Sequence, residues 1–225
     1  MTLDLHVHTF YSPDSWLKPE HIIRTAKKRG LDGVAVTDHN TICGGVDTRA
    51  ANTDSGFLVI VGSEVCTDVG DITGLFLERE ITAQKWDEVI DEIHEQGGLA
   101  ILPHPFKGHH LSDELISRVD VIELFNARTS LERNAQARDL ARQWGKPGIA
   151  GSDAHLAREI GACRVHTTGE DVRTALITGA FTTEVGLTAP YLQCQSQIIR
   201  SLKERNYAAL PIQIAVMLKK LIAGA

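Results

Sequence analysis

Thr2-Leu3-Asp4-Leu5-His6-Val7-His8 is a short apolar run carrying two histidines at its far end. Side chains alternate across a strand, so Asp4, His6 and His8 are expected on one face, with Leu3, Leu5 and Val7 on the other. The same kind of ending recurs down the chain. The run Gly33 to Val36 leads into Thr37-Asp38-His39, Phe57 to Val61 into Gly62-Ser63-Glu64, and Leu99 to Leu102 into Pro103-His104-Pro105. Val119 to Leu124 contains Glu123 and leads to Asn126, and Pro147 to Ala150 reaches Gly151-Ser152-Asp153-Ala154-His155. Six predicted strands therefore each deliver a His, Asp, Glu or Asn at the carboxyl end.

Helical signals fill the spaces between these strands. Pro19 suits a first helical position, and Gly30 is a natural stop after Ile22, Ile23 and Ala26. Trp86, Val89, Ile90 and Ile93 repeat at i, i+3, i+4 and i+7, one apolar helix face ending at Gly97-Gly98. Thr129 with Glu132 reads as a capping box for a helix that buries Ala137, Leu140, Ala141 and Trp144 before Gly145. Strands alternating with helices predict a parallel α/β sheet, open or closed into a barrel. Ile72 to Leu77 leaves room for one extra strand. From about Pro190 the pattern changes. Ile198, Ile199 and Leu202, then Ile214, Met217, Leu218, Leu221 and Ile222, predict two helices packed on the barrel. An oligomer contact through this tail stays open.

At 225 residues the chain fits one domain with a substantial core. Its formal net charge of -6 argues against a general footprint for nucleic acid. An acidic protein still accepts an anionic substrate if metal ions supply the positive charge. Cys43, Cys66, Cys163 and Cys194 are scattered without CxxC or zinc-finger spacing, the pattern of reduced thiols in a cytoplasmic protein. No apolar run reaches the roughly 18 residues that span a bilayer. The chain starts directly on residues assigned to the site, so no removable leader and no membrane role are expected.

Parallel α/β sheets bind ligands at the carboxyl edge of their strands, where these groups would converge. Imidazole and carboxylate together suit Zn, Mn or Fe, whereas an all-oxygen set would suit Mg or Ca. The donors are too many for one tetrahedral ion, which points to two or three divalent metals. Ions a few ångströms apart clamp a phosphate, acidify a bridging water and stabilise the leaving oxygen.

These motifs resemble the PHP family, named for polymerase and histidinol phosphatase domains. The resemblance rests on Asp4-Leu5-His6-Val7-His8, Ser12-Pro13-Asp14, Thr37-Asp38-His39-Asn40-Thr41, Gly62-Ser63-Glu64, His104-Pro105-Phe106 and Gly151-Ser152-Asp153-Ala154-His155, in the family's order. It covers residues 1 to about 185 and is nearest to the short stand-alone metal-dependent phosphoesterases. It implies an α/β fold, a distorted (β/α)7 barrel over residues 1–188, with a short helical extension over 189–225. Carried over by position, His6, His8, Glu64 and Asp153 would hold one metal, and Asp14, His39 and His155 a second. Glu64 would bridge to a third, which His104 helps to bind. Two departures stand out. Many members place a histidine where this chain reads Gly70-Asp71-Ile72-Thr73-Gly74, so Asp71 is the substitute to consider. Histidinol phosphatase relatives carry a later histidine near Glu123 to Asn126, which this chain lacks. Asp4 and Asp38 would orient the histidines from behind.

Phosphate hydrolysis also calls for fixed positive charge around the non-bridging oxygens. Lys107, Arg128 and Arg158 follow the motifs on loops at the metal edge, and Arg128 is preferred because guanidinium matches phosphate bidentately. His109 and His110 read as exposed loop residues, and His21, His94 and His166 as structural. The expected function is hydrolysis of a phosphomonoester or phosphodiester of a small molecule or nucleotide by a metal-bridging hydroxide. The alternatives are a 3′–5′ exonuclease, disfavoured by the acidic charge, and a non-catalytic metal-binding scaffold.

Overall fold

The computed structural model describes residues 1–169 and 171–223, and strands and helices alternate through most of them. In order these are β1 (Thr2–Val7), α1 (Pro19–Lys28), β2 (Gly33–His39), α2 (Cys43–Ala51), β3 (Leu58–Thr67), β4 (Gly70–Leu75) and α3 (Trp86–Glu95). Then follow β5 (Leu99–Leu102), α4 (Asp113–Arg118), β6 (Val121–Asn126), α5 (Leu131–Trp144), β7 (Gly148–Gly151), β8 (Arg164–Thr167), α6 (Val172–Thr178) and β9 (Phe181–Glu184). The tail forms α7 (Pro190–Lys203) and α8 (Leu210–Ala223).

All nine described strands join one sheet in the order β7-β6-β5-β4-β3-β2-β1-β8-β9. β1, β2 and β3 run parallel, as do β5, β6 and β7. The extra strand considered at Ile72 to Leu77 is β4, and it is antiparallel to both neighbours. This corrects the all-parallel expectation. β3 runs on past Glu64 to Thr67 and turns straight back, so no helix crosses between β3 and β4. Beyond β7, Ala154 bridges to Val7 in parallel, its N–H donating to the His6 carbonyl at 3.0 Å and its carbonyl accepting from the His8 N–H at 2.9 Å. That bridge closes seven strands into a barrel, while β8 and β9 flank the lower half of β1.

The barrel interior takes residues from every strand β1 to β7: Leu3 and Leu5, Ala35, Ile60, Leu75, Ile101, Val121 and Ile149 belong to one buried cluster, which Val165 of β8 joins. Strict alternation from Leu3 and Leu5 would send Val7 inward and the two histidines outward. The β1–β2 register slips by one residue between Asp4 and Val7 instead. This bulge re-aims the strand. Val7 packs under α1 with Ile22 and Ala26, and His6 and His8 take the inward positions. Asp4 is thereby separated from the face it was expected to share.

The helices cover the outside. Val89, Ile90 and Ile93 of α3 are fully buried, as their spacing predicts. Ile93→Ala removes a side chain from a packed cluster that includes Ile72, Leu77, Ala100 and Leu102. It is expected to cost about 2–5 kcal/mol in a urea denaturation measurement. α5 begins one residue later than the capping-box reading placed it. Its N-cap is Ser130, which accepts from the Arg133 N–H, and Gly145 ends it with φ 61°. Thr129 instead donates to Asn126 Oδ1. α7 buries Leu192, Cys194 and Ile199, whereas α8 buries no residue fully. Among the described residues, no helix is long and apolar enough to cross a membrane, and the four cysteines are unbonded.

Candidate metal centre

The carboxyl ends of the barrel strands bring the sequence-predicted ligands together. His6 and His8 come from β1, Asp14 from the loop after it, His39 from the end of β2 and Glu64 from β3. His104 follows β5, and Asp153 and His155 follow β7. His6, His8, Glu64, Asp153, His104, His155 and Asp14 are all buried, while His39 is partly exposed. His104 and Asp153 adopt the left-handed region, with φ 28° and 52°. Strain of this kind collects at functional sites.

His6 Nε2 lies 3.5 Å from Glu64 Oε2 and 3.8 Å from Asp153 Oδ1, and His8 Nε2 lies 3.5 Å and 3.4 Å from the same two oxygens. Ligands about 2.1 Å from a tetrahedral ion stand roughly 3.4 Å from one another. These four atoms therefore surround a space of the right size. Neither His6 Nε2 nor His8 Nε2 has a hydrogen-bond partner, although both are buried. Buried polar atoms are nearly always satisfied, so an orphan pair beside two carboxylates fits a cation.

A second set lies beside it. His39 Nδ1 is 3.2 Å from Glu64 Oε2, His155 Nε2 is 3.1 Å from Asp14 Oδ2, and His8, His39 and His155 offer nitrogens within ligating reach of one another. Asp14 Oδ1 is another buried orphan. A third set consists of Glu64, Asp71 and His104, with His104 Nε2 2.9 Å from Glu64 Oε1. Asp71 enters from β4, and its carboxylate lies within ligating reach of Glu64 and His104. Thr73, paired with Glu64 across the β3–β4 ladder, is buried.

The supporting carboxylates differ from those read in the sequence. His6 is oriented by Glu123, whose Oε1 accepts from Nδ1 at 2.9 Å. Glu123 Oε2 accepts from the His104 N–H at 2.8 Å and from Asn126 Nδ2 at 3.0 Å. A second register slip, in β6 between Glu123 and Phe125, lets both Glu123 and Asn126 reach the centre. Only glycine lets β7 pass here: a Cβ on Gly151 would stand 2.1 Å from Glu123 Oε1 and 2.7 Å from His6 Cβ. Asp38 acts at one remove. It accepts from Thr9 and from Ser12 Oγ at 2.6 Å, and that oxygen lies 3.1 Å from His8 Nδ1. Asp4 touches no histidine ring. It ties down the loop after β7 through Ser152 Oγ and the Gly161 N–H, and burial pushes its carboxyl up to about 6.

Of the expected phosphate grips, Lys107 is the accessible one. Its ammonium is 3.3 Å from Asp153 Oδ2 and lines the central pocket. Arg128 lines the pocket too, but its guanidinium is buried and already engaged, 3.4 Å from Glu159 Oε1 and bonded to Ser196 Oγ of α7. It serves better as a fixed positive wall than as a free fork. Arg158 is exposed and does not line the pocket. His109 departs from the exposed reading. Its Nε2 donates to the Asp71 carbonyl at 2.8 Å, and its ring sits 5.6 Å from that of His104. His110 is exposed.

Charge is strongly redistributed. Burial by itself would lower the His6 pKa, but Glu123, Glu64 and Asp153 outweigh it and hold the imidazole well above its ordinary value. Burial resists ionisation of Glu64, but His6 and His104 prevail and keep its carboxyl well below the usual range. Asp153 is likewise held low, against its burial, by Lys107 and His6. His8 goes the other way, lowered by burial and by the charge of His155. A metal ion at His6 must therefore displace a proton. Metal affinity of the stripped protein is expected to rise with pH below the raised His6 value, by about tenfold per unit for each proton displaced. Chelator-competition titrations between pH 6 and 8 check this, and a flat profile would rule it out.

Comparison with known proteins agrees with this architecture. The family model described as PHP domain matches residues 4–146, and that described as PHP-associated matches residues 132–181. Two uncharacterized proteins of Methanocaldococcus jannaschii are similar in sequence. MJ1587 is 44% identical over 141 residues, which is 56% of this chain and 82% of its own length. MJ0417 is 35% identical over 173 residues, covering 72% of this chain and 68% of its own. Among solved structures, a two-domain protein of Bacteroides vulgatus "containing predicted PHP-like metal-dependent phosphoesterase" superposes with a TM-score of 0.70 at 18% identity. The match covers 83% of this chain, and the chain spans 65% of that protein. PsfC of Pseudomonas syringae superposes with a TM-score of 0.64 at 22% identity, covering 89% of this chain and 97% of its own. The barrel is shared with PHP-like metal-dependent phosphoesterases, and the chain belongs to the PHP domain family.

Proposed function

We propose that the protein is a metal-dependent phosphoesterase that hydrolyses a phosphomonoester or phosphodiester of a small molecule or nucleotide. The observation that carries this reading is the set of four buried ligand atoms on His6, His8, Glu64 and Asp153, two of them orphaned nitrogens, beside a pocket with Lys107 and Arg128. His6, His8, Glu64 and Asp153 would hold one ion, Asp14, His39 and His155 a second, and Glu64 with Asp71 and His104 a third. Mn, Zn or Fe suits such mixed donors. When bound, such ions lower the pKa of water and offset charge on a phosphoryl group.

The chain's own residues supply the rest. Lys107, half-exposed beside Asp153, can swing its ammonium to a non-bridging phosphoryl oxygen. Arg128 contributes a positive wall that does not need to move, since Glu159 and Ser196 already fix it. Glu123 keeps the His6 proton on Nδ1, so that Nε2 faces the centre as a lone pair. The α7 and α8 side of the pocket favours a compact substrate over a polynucleotide strand.

A panel of small esters, read by released phosphate for the monoesters and by released alcohol for the diesters, and run on chelator-stripped protein with Mn, Zn or Fe added back, tests the proposal. Stripped protein should be inactive and at least one ion should restore turnover, while a single-stranded oligonucleotide stays intact. No hydrolysis of any mono- or diester with any ion would sink the assignment.

A further inference from the structure

Between β1 and α1 the chain turns at Ser12 to Ser15 and presents Asp14 to the centre. The turn is weakly closed by its own backbone, since the Ser15 N–H reaches the Ser12 carbonyl only at 3.5 Å. One side chain from the tail closes it instead. Lys203, the last residue of α7, donates from its ammonium to the carbonyls of Phe10, Ser12 and Ser15 at 2.6, 2.8 and 2.7 Å.

An ammonium has three N–H donors, so all of them are spent on this one loop. Such charge-assisted bonds are roughly twice as strong as neutral ones. A lysine merely solvated at a helix end would leave donors in water. Two of the three carbonyls flank Asp14, whose Oδ2 stands 3.1 Å from His155 Nε2 and whose Oδ1 is a buried orphan. Drawing the Ser12 and Ser15 carbonyls onto one nitrogen fixes the backbone on either side of Asp14, and with it the place of the carboxylate. The same helix reaches the pocket a second time, where Gln193 donates to the Arg128 carbonyl and Ser196 meets the guanidinium.

We infer that Lys203 is a positioning residue for the second ion, setting the Asp14 loop from α7, so that the tail helix completes the metal centre as well as packing on the barrel. This rests on the assignment of Asp14, His39 and His155 to one ion under the phosphoesterase reading. Without the ammonium, Asp14 has to be ordered as the ion binds, which weakens binding. The loss falls on that ion, because His6, His8, Glu64 and Asp153 stand on or directly after strands β1, β3 and β7, which take no hydrogen bond from Lys203. Partners that orient ligands from behind change metal affinity by about 10- to 100-fold.

The test reads metal affinity rather than turnover. Full-length, chelator-stripped protein is titrated with Mn²⁺ against a competing chelator, and Asp14→Asn marks which ion belongs to the second set. Lys203→Met, which keeps the length of the apolar stem, should weaken that same ion about tenfold or more and leave the other within twofold. In the Asp14→Asn background the same substitution should cost less than about threefold further, since two groups acting as one unit are not additive. Leu192→Ala, a cavity in the buried face of α7, should lower the melting temperature yet leave the second ion within twofold. If Lys203→Met does not fold, Lys203→Arg decides: a planar guanidinium does not converge three carbonyls on one nitrogen, and at least a threefold loss is expected. Wild-type affinity in the Lys203 variant that folds, equal weakening of both ions, an undiminished cost beside Asp14→Asn, or a matching loss in Leu192→Ala would overturn the inference. A wild type with no ion sensitive to Asp14→Asn would overturn it together with the second-ion assignment. The expected Lys203 effect in a protein that hydrolyses no ester would sink the phosphoesterase reading and leave this role standing.

Discussion

His6→Ala is expected to abolish phosphoester hydrolysis, lowering it by on the order of 10³-fold or more, in a protein that still folds. Removing the ring deletes one of four atoms around the first candidate ion and leaves Glu64 and Asp153 facing each other with less positive charge between them. It also strips Glu123 Oε1 of its partner, a cost of about 1–3 kcal/mol for a buried acceptor. The companion substitution at Asp153 should be Asn rather than Ala. Asp153 holds φ 52°, a conformation Asn tolerates and Ala adopts only at a cost of roughly 1–2 kcal/mol. Asp153→Asn keeps the shape and hydrogen-bonding reach but removes the charge, so its activity should fall as far while its melting temperature stays close to wild type. Ester hydrolysis, bound metal by elemental analysis and circular dichroism melts together check both variants. Full activity in both would remove the ground for the centre.

Much of this centre is legible in the sequence because each parallel strand ends where its ligand stands. His39, Glu64, His104 and Asp153 need no more than strand direction to be placed at one edge. What escapes is set by backbone geometry that a two-residue period does not encode. The bulge between Asp4 and Val7 moves His6 and His8 inward and takes Asp4 off their face. The bulge in β6 makes Glu123, a strand residue with no motif around it, the carboxylate that orients His6. Asp38 reaches His8 only through Ser12, a contact across 26 residues that spacing cannot suggest. Gly70 to Leu75 alternates weakly and so gives only a faint strand signal for β4, whose antiparallel direction brings Asp71 to Glu64 and His104. The loop position of Arg128 predicts a phosphate grip, not a buried side chain. Its burial comes from Ser196, which belongs to a helix nearly seventy residues away.

Glu123→Gln is expected to lower metal affinity by about 10- to 100-fold with little loss of stability. The wild-type carboxylate accepts three hydrogen bonds, from His6 Nδ1, the His104 N–H and Asn126 Nδ2. A carboxamide has one acceptor oxygen and one NH₂. If that oxygen keeps the two donors at Oε2, the NH₂ meets His6 Nδ1, and the ring must carry its proton on Nε2 instead. That proton then points at Glu64 and Asp153, where a cation would sit. Glu123→Ala would confuse the result, since it also orphans the His104 N–H and destabilises the turn directly. The pH dependence separates the tautomer effect from simple weakening. Glu123 is the foremost of the carboxylates that hold the His6 pKa up, so in Glu123→Gln that value falls and proton competition moves to lower pH. Affinity should therefore drop most at high pH, where wild type has already shed the proton, and the gap between the two proteins should narrow as pH falls. Competition titrations across that range read both features, and an affinity within twofold of wild type throughout would mean that His6 is oriented by something other than Glu123.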